Sequence, residues 1–340
     1  MLDPITAKQE QLIGTLEIVR IESFLKELRG LVGRPCLDRQ ALARAFVCKA
    51  FYNMNTTEEL IERLRGSQNL RRLCGWDYAG EVLNKSTFSR AFSEFARMGL
   101  PELVHAELIK IYLSDHLIGH ICRDSTEIEA REKPVKKIAK PKVVRKKGRP
   151  KKGEVLLPKE ESRLERQLKM SLEEMKKELP KQCDRGVKKG SKGYPHFWTG
   201  YKLHIDCNDG EIPISCLLSS ASVNDAQVAL PLMKMTADRV TSLYDLMDAA
   251  YDVDIVIAQS KSLGHVPIIK KHGRRKDKID MAPAEKQRYK TRTTVERVNS
   301  RLKESFGGGH LRVKGPEKAM AHLMFGILVL TADQLIRLMT

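Results

Sequence analysis

The sequence predicts a mixed α/β protein, a sheet flanked by helices and preceded by an all-helical N-terminal part. Three observations predict it. Up to about residue 118 apolar residues recur at helical spacing. From HLIGHIC onward short apolar runs and alternating stretches take over, and two of those runs lead into a carboxylate, Asp124 and Asp248. At 340 residues the chain accommodates two domains, 1–117 helical and 118–340 mixed, the second with a basic insertion at 131–190 after its first strand.

In the helical part, Asp38 is a plausible N-cap for DRQALARAFVCKAFYN, and Thr56 or Thr57 for TTEELIERLRG. STFSRAFSEFARMG follows, with Phe88, Phe92 and Phe95 on one stripe and Lys85, Ser89, Arg90 and Arg97 on other faces. Two short helices before a basic one resemble a helix-turn-helix, with Arg90 on the helix that would enter a major groove. A small bundle with a solvated basic face has the same pattern.

Leu117, Ile118, Ile121 and Cys122 read as a buried strand with Asp124 at its end. Residues 131–160 then hold thirteen Lys and Arg against three Glu, a local charge of +10. Within this run KKGRPKKG resembles a minor-groove AT-hook around Lys147, Gly148, Arg149 and Pro150, and a basic linker is the competing reading. Leu164, Leu168, Leu172, Met175 and Leu179 predict one amphipathic helix. Phe197–Cys207 and 211–219 predict a hairpin around Asn208-Asp209-Gly210, with Asp206 and Asp209 as turn residues. A helix from Ala226, the strand SLYDLMD ending at Asp248, a helix over 252–263, a strand HVPIIK, a basic loop GRRKDK and a terminal apolar helix over 317–338 complete the order.

A net charge of +18 at pI near 9.6 calls for a polyanionic partner, nucleic acid or an anionic surface. The longest uncharged run, Ala319–Ala332, is shorter than the roughly 20 apolar residues that span a bilayer. No membrane partner is expected. The N-terminus carries no export pattern, and seven cysteines without a CxxC pair read as reduced cytosolic thiols.

The most informative stretch is Tyr289–Lys303, YKTRTTVERVNSRLK. Read as one helix, it aligns Tyr289, Arg292, Glu296 and Lys303 within a stripe of about 60°. Val295, Val298, Leu302 and Phe306 face the core, and Gly307, Gly308 and Gly309 stop the helix. An acid for a metal ion and cations for phosphate oxygens are what phosphodiester chemistry uses. The plain alternative is a surface helix with an i,i+4 Arg292–Glu296 pair.

The spacing Tyr-x2-Arg-x3-Glu-x6-Lys resembles the Y-R-E-K signature of bacterial insertion-sequence DDE transposases, whose catalytic domain is ribonuclease H-like. RDSTEIEA around Asp124, Gly200-Tyr201-Lys202-Leu203-His204, Asn224-Asp225-Ala226-Gln227 and Asp248-Ala249-Ala250-Tyr251 are similar to further motifs of the family. Ala250 departs from them, standing where glycine is usual. The resemblance implies that Asp124, Asp248 and Glu296 are catalytic and bind Mg²⁺ or Mn²⁺, two ions about 4 Å apart. It implies that Tyr289, Arg292 and Lys303 hold phosphates of double-stranded DNA, at terminal inverted repeats and at the target. A homodimer on both ends and a cytoplasmic, nucleoid-associated location follow from the same likeness. Asp225 is the rival for the second aspartate and reads instead as a helix-entry residue, and His204 reads as a satisfied strand histidine. A decayed or regulatory copy that only binds DNA, or a ribonuclease H-like nuclease without strand transfer, are the competing functions.

Overall fold

The computed structural model describes residues 4–25, 38–135, 161–189, 193–271 and 280–339. The Lys147–Pro150 motif and the GRRKDK loop lie outside them. The N-terminal part is helical as expected: α1 (Ala7–Val19), α2 (Arg39–Phe51), α3 (Thr57–Gly66), α4 (Gln68–Cys74), α5 (Lys85–Met98) and α6 (Leu100–Leu113). Asp38 and Thr56 cap α2 and α3 by accepting from the amides of Ala41 and Glu59. Phe88, Phe92 and Phe95 of α5 are buried against Phe46 of α2, while Arg90 is exposed.

The sheet contains β1 (Leu117–Glu129), β2 (Asp184–Lys189), β3 (Pro195–Cys207), β4 (Pro213–Ser220), β5 (Thr241–Met247) and β6 (Val266–Ile269). Its order is β2-β3-β1-β5-β6, with β4 also pairing with β3. The hairpin β3–β4 and the β1–β3 pair are antiparallel, and β1, β5 and β6 run parallel. Helices α7 (Arg163–Gln167), α8 (Leu172–Glu178), α9 (Ala226–Ala237), α10 (Asp254–Ser262), α11 (Pro283–Tyr289), α12 (Thr293–Ser305) and α13 (Pro316–Met339) surround it.

Consecutive strand residues feed opposite layers, as the pleat requires. Leu246, Ile268 and Leu218 join α12 and α13 on one face. Met247 and Ile269 join α8, α9 and α10 on the other, and Leu217 meets α9 there. The result is a mixed sheet between two helical layers, consistent with a ribonuclease H-like fold.

The terminal helix α13 is apolar around most of its circumference because it has two cores to fill. Ala321, Phe325, Leu328, Val329 and Ala332 pack with the N-terminal helices. Ala319, Leu323, Ile327 and Leu330 pack with the sheet and α12. It is long and apolar enough to cross a membrane by length and composition, yet 72% of its most apolar window is buried inside the protein.

Three expectations need correction here, and one strand had no expectation. β1 does not end at Asp124; pairing with β3 from Cys122 to Glu129 carries it five residues further, and Leu117 at its start is 62% exposed. The leucine-rich segment is two short helices, not one, because Ser171 accepts from the amide of Glu174 and starts α8 afresh. Asp206 is no turn residue: it lies in β3, fully buried, bonded to Arg123 at 2.6 Å and to Thr236 at 2.7 Å. β2 was not foreseen; its alternation is hidden in a run of basic and small residues, DRGVKK.

The signature stretch is also not one helix. It comprises the end of α11, a 3₁₀ turn Lys290–Arg292, and α12. Thr293 and Thr294 donate their hydroxyls to the carbonyls of Lys290 and Thr291, drawing those acceptors away from a regular helical ladder. Cys122 of β1 donates its thiol to the same Thr291 carbonyl, pinning the turn to the sheet.

Candidate active site

Period two along the strands decides which side chains meet α12. Cys122 and Leu246 face the α12 layer and pair with each other in the parallel β1–β5 register. Asp124 and Asp248 each stand two residues further on. Both therefore come up on the α12 side, level with one another. Glu296 enters from above, in the first turn of α12.

The carboxylates line one cavity of about 420 Å³ together with Asp225, Arg292, Lys188 and Lys202. Asp124 is half-buried, and desolvation pushes its carboxyl up to about 6, with Asp248 and Asp225 adding to the effect and Arg292 opposing it. Asp248 is raised by burial too, again with Asp225 adding, and its Oδ1 accepts from the Ala250 amide at 2.9 Å. Ala250 thus fits the turn that fixes Asp248, a 3₁₀ turn over Ala249–Tyr251.

Arg292 sits between the acids. Its guanidinium is 3.6 Å from Asp124 Oδ2 and 2.5 Å from Glu296 Oε1, and lies 5.9 Å from the centre of the Tyr289 ring. Those contacts join Tyr289, Arg292 and Glu296 across the 3₁₀ turn. Lys303 is set apart, near Glu127, Glu129 and Lys188 rather than the aspartates, and partial burial lowers its pKa. Lys147 and Arg149 fall outside the described residues, and Arg90 belongs to α5, away from this cavity.

Asp225 occupies the helix-entry position of α9 but makes no side-chain cap. Its carboxylate instead takes a 2.9 Å bond from Lys202 Nζ, which also donates to the Val223 carbonyl. The sequence carried the signal for both residues, in the Lys202 strand motif and the Asp225 turn motif, but not their pairing. His204 is buried with its Nε2 2.8 Å from Ser219 Oγ, and burial lowers it to about 4. Beneath the site, on the α9 side, buried Arg123 bonds to Asp206 and lies 3.8 Å from Asp245, which accepts from Ser260 and His265.

Residues 115–332 match the family model for the transposase DDE domain, and residues 6–94 match a second model, a transposase domain. The chain belongs to the DDE transposase family. Membership connects it with insertion sequences, transposition and DNA recombination, in a family of nucleases and transferases that normally use divalent metals. Comparison with curated proteins and with solved structures finds no match.

The cavity lining offers such a metal the hard oxygen donors it takes. Asp124, Asp248 and Asp225 bring carboxylate oxygens into one partly enclosed space, where Asp248 and Asp225 repel charge on Asp124 and Asp225 repels charge on Asp248. Among the described residues no three His, Cys, Asp or Glu side chains are gathered closely enough to hold a metal ion as they stand. The transposase has Arg292 as the cation between Asp124 and Glu296 in this arrangement.

Proposed function

We propose that this transposase cuts DNA at insertion-sequence ends and joins the freed 3′-hydroxyl to target DNA, with Asp124, Asp248 and Glu296 as its catalytic acids. The observation that carries the reading is their convergence from two parallel strands and a covering helix onto one cavity. Asp124 and Asp248 would hold the metal, with Glu296 as the third ligand once Arg292 releases it. A bound divalent ion supplies Lewis-acid polarisation of phosphodiester oxygens and a nucleophile at neutral pH.

The chain's own groups bind and orient. Arg292, backed by Tyr289, is placed to exchange a carboxylate for a phosphate oxygen, and a guanidinium suits either partner. Lys303 would hold a phosphate further along α12. In the first step water attacks the phosphorus at the element boundary and the 3′-oxygen leaves as a hydroxyl. In the second, that oxygen attacks a target phosphorus and the target's own 3′-oxygen leaves. No protein–DNA covalent bond is required.

The helical part, 1–117, with Arg90, and the basic segment with Lys147 and Arg149 would hold double-stranded DNA. The net charge of +18 supports both roles. Two ends cut together make a homodimer the working species, at the nucleoid in the cytoplasm.

A gel assay on a duplex bearing the element's own end, with Mg²⁺ and with EDTA, tests the chemistry. Metal-dependent nicking at the boundary and joining to target DNA are expected. Glu296→Gln is expected to lower cleavage at least about a hundredfold, on the scale of losing a transition-state group, while end binding persists. Cleavage by this variant near the wild-type rate would remove Glu296 from the site.

A further inference from the structure

A second cavity, of about 430 Å³, lies between the N-terminal helices and the start of α13, and the proposed chemistry does not use it. Its inner wall is aromatic: Phe46, Phe92 and Phe325 pack on one another there, with ring centres 5.1 to 6.2 Å apart. Phe306, one residue past the end of α12, closes a further side. Its mouth is cationic. Arg312, Lys314 and Lys318 line it, and among the described residues none of the three forms an ion pair. Glu58 is the acid in the lining, and Lys85 already pairs with it.

Two partly buried groups sharpen the character of the interior. Lys49 donates to the Met54 carbonyl at 2.8 Å, and burial lowers its pKa to about 8, with Arg312 adding to the effect and Glu59 opposing it. His322 uses Nε2 to donate to the Gly307 carbonyl at 2.9 Å, which leaves Nδ1 as an acceptor on a neutral ring. An aromatic wall, a hydrogen-bond acceptor and a mouth with more cations than acids together match a heterocyclic base carrying a phosphate. Neither a lipid chain nor an acidic peptide uses all three.

We infer that this cavity is a nucleotide-binding site, with the base against the phenylalanines and His322 and the phosphate on Arg312, Lys314 and Lys318. The volume lies in the range of small-ligand sites. The site is separate from the carboxylate cavity: Phe306 stands ten residues after Glu296, about 15 Å at 1.5 Å per residue. The nucleotide has two possible sources, a free one or one in a DNA strand passing along α12.

The test is calorimetric titration of the full-length protein in EDTA with deoxyadenosine monophosphate, deoxyribose 5-phosphate and deoxyadenosine. The monophosphate is expected to bind at least about tenfold more tightly than either fragment. The double variant Lys314→Glu, Lys318→Glu is expected to lose at least about tenfold of that affinity. Ser89→Trp, which fills the mouth from α5, is expected to block binding with an unchanged melting temperature. Equal binding of deoxyribose 5-phosphate would mean charge alone and overturn the inference, as would no binding, or binding indifferent to both variants. Displacement of the monophosphate by an element-end duplex would assign the nucleotide to DNA; simultaneous binding would assign it to a free ligand. Neither result depends on cleavage.

Discussion

Asp124 is held in a state that a carboxylate does not choose. Burial raises it to about 6 from 3.8, against the pull of Arg292. A carboxyl whose folded pKa is raised stabilises the fold fully only below its unfolded value; stability then falls as pH rises from 3.8 through about 6. Asp124→Asn is therefore expected to stabilise the metal-free protein at pH 7 by about 1–3 kcal/mol and to leave it unchanged near pH 3. Melting curves in EDTA at both pH values check this, and a less stable variant at pH 7 would show that Arg292 already compensates the charge. The same substitution is expected to remove any stabilisation by Mg²⁺. Such a trade of stability for chemistry is common where charge is gathered for a metal. Arg292 opposes that rise at Asp124 and also pairs with Glu296, so one residue ties the strand to the helix.

At the scale of elements, the position of Glu296 depends on how closely α12 sits on its neighbours. Val295, Val298 and Leu302 are fully buried beneath it. Gly326 of α13 allows the closest approach: a Cβ there would meet the Phe306 carbonyl oxygen at 2.3 Å and Leu302 at 2.9 Å. Gly326→Ala cannot be absorbed by a flexible side-chain tip, since the nearest atom is backbone. It is expected to destabilise the protein by about 1–3 kcal/mol, as overpacking does. Denaturant titration checks the stability, and nicking assays below the unfolding range check the accompanying loss of cleavage. A neutral result would show that α13 can slide on α12. Gly200 has a similar role at the sheet, where its φ of 152° and a prospective Cβ 2.1 Å from the Ile128 carbonyl leave room only for glycine.

For the molecule as a whole, α13 joins the helical part to the sheet, so both are expected to unfold together. Three histidines, His105 and His204 buried and His322 partly so, make that unfolding sensitive to acid. Burial lowers His105 to about 3, and His204 and His322 to about 4. The unfolded chain takes up protons below about 6.5 that the folded one refuses. The stability these histidines contribute is thus present above pH 6.5 and lost as pH falls toward 4. Glu102, raised by burial to about 7, works in the opposite direction over part of this window. A histidine variant separates the two: His105→Gln is expected to flatten the decline in unfolding free energy between pH 6.5 and 4.5. An unaltered slope would mean that His105 is not neutral in the fold.

Local chemistry settled much of this protein in advance. Cap residues such as Asp38 and Thr56, the Phe88–Phe92–Phe95 stripe, the β3–β4 hairpin and the strand leading into Asp248 each depend on near neighbours in sequence. The same was true of the acids, because their strand and helix settings are local motifs. What pairs across the chain could not be read that way. β1 extends past Asp124 because β3 supplies hydrogen bonds from about eighty residues away. The signature helix breaks at Arg292 because threonine hydroxyls and the Cys122 thiol compete for its carbonyls. Asp206 is buried by Arg123, and Asp225 turns from its helix to Lys202. Local spacing was enough for most of the elements and for naming the candidate acids, though not for β2 or for the breaks in two helices. Only the tertiary structure decided which side chains share a low-dielectric space, since desolvation and ion pairing depend on distances that no local spacing fixes.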